Sequence, residues 1–383
     1  MRDLNTIRCL SRRHSVMLLS VTFAPHDPAH LDALREYCEH VDTVPNLRSS
    51  PRRAAALARG LLAGRPIAAY PYYIEELSLK IRHVLATRPV DVVSFEQTYV
   101  ASYLGSIPQG HRCRTVLSLH NIASSQYHSM ASLRGGAAAK AAWRVKGWLM
   151  GRMELQYLDR FDCIVAVSER DASVLRAGHP RRRVSVVENG FHAAGVTPLA
   201  EPHEGNNLVF VGNMIYAPNA DAVIYFAEEV LPIVCRTVHD ARFLVVGASP
   251  PEQLQPSARP NVVVTGGVDD VVPYYEQSRV AVVPLRAGGG TRLKILEAMA
   301  LGRAVVTTSK GCEGLDVRHR EHVMIADSTA DFARGVVELL QRPDLRQALA
   351  RNARHLVETR YDWSIINEKL SAFYENELSK VTQ

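Results

Sequence analysis

Residues 279–309, RVAVVPLRAGGGTRLKILEAMALGRAVVTTS, constrain the chain more than any other stretch. Residues 280–285 form an apolar, β-branched run with the length of a buried strand, and residues 287–290 follow with a backbone almost bare of side chains. Amide N–H groups there are free to face a ligand. Thr291 is placed to cap a helix, Gly302 stands where a C-terminal cap belongs, and residues 304–308 return to strand composition. A helix N-terminus behind a glycine turn attracts anions, so the unit reads as a phosphate cradle. Gly290, Lys294 and Glu297, spaced by four and three residues, share one face of the expected helix, leaving Leu293, Leu296 and Ala300 for the core. At about 1.5 Å per residue, Glu297 lies roughly 10 Å from Gly290, far enough to meet a ribose when the turn holds a diphosphate.

The longer string GGGTRLKILEAMALGRAVVTTSKGCEGL resembles the donor-binding segment of the family 4 (group 1) glycosyltransferases. The resemblance continues in order through VSERDASVLRA, VSVVENGF, LVFVGNMIYAPNADAVIYFAEEVLPIV, FLVVGASP, VVVTGGVDDVVPYY and the closing YDWSIINEKLSAFY. It implies the GT-B fold, an α/β architecture of two doubly wound Rossmann-like domains facing a cleft. Strand-like runs alternating with helical patterns on both sides of GVTPLAEPHEGNN agree with that fold. The expected organisation is an acceptor-binding domain over residues 1–193, a linker over 194–206, a nucleotide-sugar-binding domain over 207–360, and a helix over 361–383 that packs back on the first domain.

The activity the resemblance implies is retaining transfer of a sugar from a UDP- or GDP-linked donor to a glycan or lipid-linked acceptor, in cell-surface or exopolysaccharide biosynthesis. Gly212, Asn213, Val268, Gly289, Gly290, Thr291, Arg292, Lys294 and Glu297 are then the donor-binding set. His120, just after a strand in SLHNIASSQY, matches the family histidine that orients the donor sugar; Glu96, Gln97 and Asn121 are candidate acceptor contacts at strand ends. The leaving diphosphate is expected to be met by the amides of Gly290 and Thr291 and by Arg292 and Lys294, with no metal and no cofactor. The adjacent Asp269 and Asp270 point opposite ways on an extended segment and make a poor joint ligand.

Two departures from the family pattern bear on activity. Many members carry Glu-x7-Glu; Glu297 matches the second glutamate, which meets the ribose, but Gly289 stands at the first, so sugar hydroxyls must be read by backbone amides or other side chains. The chain also opens with a helix-like stretch over residues 1–12 and a strand over 15–21, so the first strand and glycine loop of the fold are expected to be missing. Two alternatives stay open: a truncated, catalytically silent nucleotide-binding module, and a nucleotide-sugar epimerase of the same fold, for which no clear acid/base set is visible.

Charge is uneven. The net charge is +6, but residues 1–200 hold 26 Lys/Arg against 16 Asp/Glu, whereas residues 201–383 hold 19 against 23. Such a basic first half suits an anionic membrane face or a lipid-diphosphate acceptor, and KAAWRVKGWLMGR over residues 140–152 interleaves Trp143 and Trp148 with basic residues as an interfacial helix does. No motif for nucleic-acid recognition accompanies the charge. No apolar run nears the roughly 20 residues of a membrane helix, and no signal peptide is visible, so a cytoplasmic protein, peripheral at most at the inner membrane face, is expected. Six scattered cysteines without CxxC spacing read as thiols rather than disulfides or zinc ligands.

Overall fold

The computed structural model describes residues 2–23, 28–46, 66–69, 72–133, 135–254 and 260–381. Tertiary contacts divide the chain into two compact units: Met1–Ser125, Arg144–Val187 and Asn367–Gln383 in the first, Gln126–Trp143 and Glu188–Ile366 in the second. Relative to the sequence reading, the second unit takes in the additional segment 126–143, which lies well before the 194–206 linker.

The first unit runs α1 (Arg2–Leu10), β1 (Met17–Thr22), α2 (Pro28–Arg35), β2 (His40–Pro45), α3 (Glu75–Thr87), β3 (Val92–Glu96), a 3₁₀ stretch (Thr98–Ser106) and β4 (Arg114–Ser118). Helix α4 (Ala123–Ala131) leaves this unit and α5 (Ala137–Tyr157) re-enters it, followed by β5 (Cys163–Ala166), α6 (Glu169–Gly178) and β6 (Arg183–Val186). All its strand pairs are parallel, in a four-stranded sheet β3-β4-β5-β6 and a separate pair β1-β2. Strand β5, Cys-Ile-Val-Ala, is buried at every residue, as a parallel strand covered on both faces must be. Ser168 caps α6 by accepting the Asp171 amide at 3.1 Å, which fixes where the chain turns from strand to helix.

In the second unit the order is β7 (Asn206–Val211), α7 (Ala217–Tyr225), a π turn (Phe226–Val230) into α8 (Leu231–Thr237), β8 (Ala241–Val246), β9 (Val262–Gly266), α9 (Val272–Glu276) and β10 (Val280–Val283). Next come α10 (Leu293–Ala300), β11 (Ala304–Thr307), β12 (Met324–Ile325), α11 (Thr329–Gln341), α12 (Pro343–Leu356) and α13 (Trp363–Leu378). The six strands are parallel in the order β12-β11-β10-β7-β8-β9. Winding therefore reverses between β7 and β10, and in open α/β sheets ligands bind beyond the strand ends at that reversal. Phe210, Phe226, Phe243 and Phe332 are essentially inaccessible at the centre of the core, with Phe226 and Phe243 ring centroids 4.5 Å apart. Each such ring contributes about 2–3 kcal/mol of burial.

Helix α13 starts in the second unit and ends in the first. Near its C-terminus, Glu377, with a fully buried side chain, accepts from Arg114 at 3.0 Å, Arg183 at 2.8 Å and Lys380 at 2.6 Å. The three cations hold its carboxyl below the usual range against the effect of burial.

Candidate functional site

Beyond β10 the chain makes the glycine turn. Gly288 and Gly290 have φ of +109° and +78°, a region open to glycine at little cost. The expectation of free amides along the whole turn is corrected here: Gly288 N–H donates to Ser129 Oγ at 3.1 Å and Gly289 N–H to Tyr216 Oη at 3.4 Å. The amides of Gly290 and Thr291 have no partner among the described residues.

Helix α10 begins at Leu293 with Arg292 at the cap position, so Gly290 is not on its face, and the Gly290–Lys294–Glu297 alignment does not extend to the turn. Thr291 does not cap it; its hydroxyl is buried with no partner. The stop signal behaves as expected, because Gly302 takes φ +71° and donates to Met299 O at 3.1 Å.

Arg292 is buried. Its Nη1 donates to Gly289 O at 2.7 Å, while Nε and Nη2 have no partner. Lys294 lies two residues on, its Nζ 3.8 Å from the Phe210 ring centroid and 2.8 Å from Asn219 Oδ1. Neither cation has a carboxylate partner among the described residues. Burial pushes the Lys294 ammonium well below its usual pKa, the Arg292 charge adds to this, and Glu297 only partly opposes it. A buried guanidinium and a half-buried lysine with no carboxylate in hydrogen-bond contact make a site suited to an anion.

Gly212 and Asn213, at the end of β7, complete that site. A Cβ on Gly212 would stand 2.6 Å from Lys294 Nζ, so any side chain there would displace the ammonium from its present position. Asn219, near the start of α7, accepts from Lys294 and donates through Nδ2 to Asn213 O at 2.8 Å, tying the loop to the cation. Glu297 accepts from Tyr275 Oη at 3.2 Å, and burial, aided by Asp270, raises its pKa. Val268, after β9, is half-buried against the core. Asp270 accepts the Val272 amide at 2.9 Å, the role of a helix-start residue.

In the first unit Glu96, Gln97 and His120 come together at the ends of β3 and β4. His120 Nε2 lies 3.3 Å from Glu96 Oε2 and 3.0 Å from Asp3 Oδ1; Nδ1 lies 3.3 Å from the Gln97 side-chain amide. Burial lowers the His120 pKa, but its hydrogen bonds and charge interactions with Asp3 and Glu96 outweigh that and raise it to about 9. Gln97 holds φ +77°, a strained backbone for a residue other than glycine, and strain of this kind collects at functional sites. Asp3, Glu96 and His120 are also the described group of three whose ligand atoms, all within 4.8 Å of one another, could hold a metal ion. Asn121 follows His120 in the loop without joining this cluster.

Sequence reasoning missed Asp3, Gln126, Ser129, Tyr216, Asn219 and Tyr275. The tyrosine and asparagine of YAPN, which starts three residues past Asn213 and contains a helix-starting proline, were the readable signal for two of them.

Comparison with known proteins identifies the family. The family described as Glycosyltransferase Family 4 matches residues 4–194, and that described as glycosyl transferases group 1 matches residues 205–342. Curated relatives include the phosphatidyl-myo-inositol mannosyltransferase of Mycolicibacterium smegmatis, 26% identical over 205 residues (49% of this chain, 51% of the relative). Another is the capsular polysaccharide biosynthesis glycosyltransferase CapM of Staphylococcus aureus, 26% identical over 181 residues (45% and 46%). The chain thus spans about half the length of the curated relatives it matches. Among solved structures, Anabaena Alr3699/HepE in complex with UDP and glucose superposes with TM-score 0.66 at 15% identity, covering 97% of this chain and 95% of that one. WaaG, a glycosyltransferase involved in lipopolysaccharide biosynthesis, gives 0.63 at 15% identity with the same coverage. With matches in tandem over both halves and the GT-B fold throughout, the chain belongs to the group 1, family 4 glycosyltransferases.

Proposed function

We propose that this chain transfers a sugar from a nucleoside-diphosphate donor, UDP- or GDP-linked, to a glycan or lipid-linked acceptor, with retention of configuration and without a metal. The observation that carries the reading is the pair Arg292 and Lys294, with no carboxylate in hydrogen-bond contact among the described residues, beside the unpartnered amides of Gly290 and Thr291. A departing diphosphate supplies the missing negative charge, and the two cations with the start of α10 stabilise it as it develops. These groups provide the positive charge that a metal provides elsewhere. Glu297 is assigned to the ribose and His120 to orienting the sugar, both from the family resemblance. Support for a role in surface polysaccharide synthesis comes from the capsular relative.

Helix α5 supports peripheral contact with an anionic membrane. Val145, Trp148 and Leu155 are exposed, Trp148 at 57%, and Arg152 stacks on Trp148 at 5.2 Å, with Arg144 and Lys146 nearby in sequence. No helix among the described residues is long and apolar enough to cross a membrane. Flotation with vesicles containing an anionic phospholipid tests this contact, and no binding to them ends it.

Calorimetric titration with UDP, GDP and ADP in the presence of EDTA tests the donor reading. Binding of one nucleotide, weakened by about 1–3 kcal/mol in Glu297→Ala, is the expected result. A folded chain that binds none of them under these conditions refutes it.

A further inference from the structure

Segment 126–143 belongs to the second unit although it lies far from it in sequence. From it, Ser129 takes the Gly288 amide, and Gln126 reaches Tyr216, its Nε2 3.1 Å from the phenolic oxygen. Tyr216 stands directly over the turn: a Cβ on Gly288 would lie 2.7 Å from its hydroxyl, and the Gly289 amide donates to the same oxygen. Only a glycine at 288 lets the ring come this close.

Counting donors shows what the pair lacks. Tyr216 brings one O–H and the Gln126 amide two N–H groups, and one hydrogen bond joins the two side chains. Whichever way the amide is turned, two donors remain over, and no further partner for either side chain exists among the described residues. Gly289 itself adds no side chain that could accept them. Arg292, with two unpartnered buried nitrogens, lies at the same turn, its Nη2 3.2 Å from the Gly288 Cβ position.

We propose that Tyr216 and Gln126 are further donor-binding residues, which together present hydrogen-bond donors to an acceptor oxygen of the nucleotide sugar beside Gly289. This rests on the donor reading above. A carboxylate at this spot would accept from sugar hydroxyls; a tyrosine–glutamine pair with donors to spare instead selects an oxygen that accepts, whether on the β-phosphate or on the sugar.

The test titrates UDP, UDP-glucose, GDP and GDP-mannose into the full chain and into Tyr216→Phe and Gln126→Leu, with thermal melts to establish folding. For the nucleotide that binds, either variant is expected to weaken affinity about tenfold, the effect of losing one hydrogen bond to a charged or polar oxygen, and the double variant little more than either single one. Loss shared by the bare nucleotide and its sugar conjugate places the oxygen on the diphosphate; loss confined to the conjugate places it on the sugar. A purely structural role predicts lower melting temperatures with no such ligand pattern. Folded variants that bind all four within twofold of the parent overturn the proposal, whereas a parent chain that binds none refutes the donor reading itself.

Discussion

Replacing Lys294 by methionine separates the cost of the buried ammonium from its use. In the folded chain the ammonium has two favourable contacts, Asn219 Oδ1 at 2.8 Å and the Phe210 ring at 3.8 Å, and no carboxylate partner. Its pKa nevertheless falls well below the usual lysine value, so burial outweighs both contacts. For a base, a depressed folded pKa means that protonation opposes folding at every pH below the unfolded value, neutral pH included. Methionine keeps the apolar stem and removes the charge. It gives up about 0.5–1 kcal/mol of cation–π attraction and about 1 kcal/mol for the orphaned Asn219 oxygen, against several kcal/mol of ammonium desolvation. The expected net gain is on the order of 1 kcal/mol, or about 2–4 °C for a unit of this size. Nucleotide affinity moves the other way, by about 1.5–3 kcal/mol, or roughly 10- to 150-fold, because a charge-assisted bond to phosphate is lost. Scanning calorimetry and titration with the nucleotide that the parent binds measure the two quantities separately. A variant that melts lower and binds unchanged refutes the view that Lys294 is an anion ligand held at a cost to stability.

Gly247 has φ +137°, and a Cβ there would stand 2.0 Å from the carbonyl oxygen of Gly212. Gly247→Ala is expected to cost about 1–3 kcal/mol in urea unfolding and to weaken nucleotide binding by moving the Gly212–Asn213 loop; unchanged binding by the folded variant counts against that loop as a ligand contact. Glu377→Ala leaves Arg114 facing the emptied, buried carboxylate site and is expected to destabilise the chain by about 2–3 kcal/mol, less than for a wholly buried network because Arg183 is 44% exposed. Since the Glu377 pKa is lowered, this contribution is present above the ordinary glutamate range and fades as pH drops through it, so the deficit of the variant should shrink in acid. His120 has a folded pKa of about 9 against 6.5, so its stabilisation is complete below about pH 6.5 and is lost as pH rises through 9. About 2–3 kcal/mol is at stake, and His120→Asn should flatten the fall in stability between pH 6.5 and 9; a stability difference between parent and variant that is the same at both ends means the Asp3–His120–Glu96 cluster is not formed.

Most of the second unit could be read from local pattern. A strand such as Val280–Val283 is uniformly β-branched or small because both of its faces are covered, and Gly302 ends α10 because only a left-handed residue closes that turn cheaply. The start of α10 was less legible. Three glycines and a threonine suggest a cap at Thr291, but the turn is held from elsewhere, by Ser129 and Tyr216, and that anchoring delays the helix to Leu293. The same tertiary hold consumes the amides of Gly288 and Gly289, which local composition makes look available.

What stayed hidden in the candidate site has one physical cause: each missed residue acts through a contact that no local periodicity encodes. Ser129 and Gly288 are 159 residues apart, Lys294 and Asn219 are 75 apart, and Asp3 reaches His120 from the first helix of the chain. Residue type identified Arg292 and Lys294 as cations, but on a solvated helix face the same residues would each have a counter-ion or water and contribute little. What suits them to an anion is their partly or wholly buried setting without a carboxylate in contact, and that setting is a property of the fold around β7 and β10 rather than of the TRLK string. The chemistry of the turn therefore depends on its neighbours as much as on its glycines. Under the proposal for Tyr216 and Gln126, which stand where position 289 has no side chain, recognition there would pass from a group that accepts hydrogen bonds to a pair that gives them.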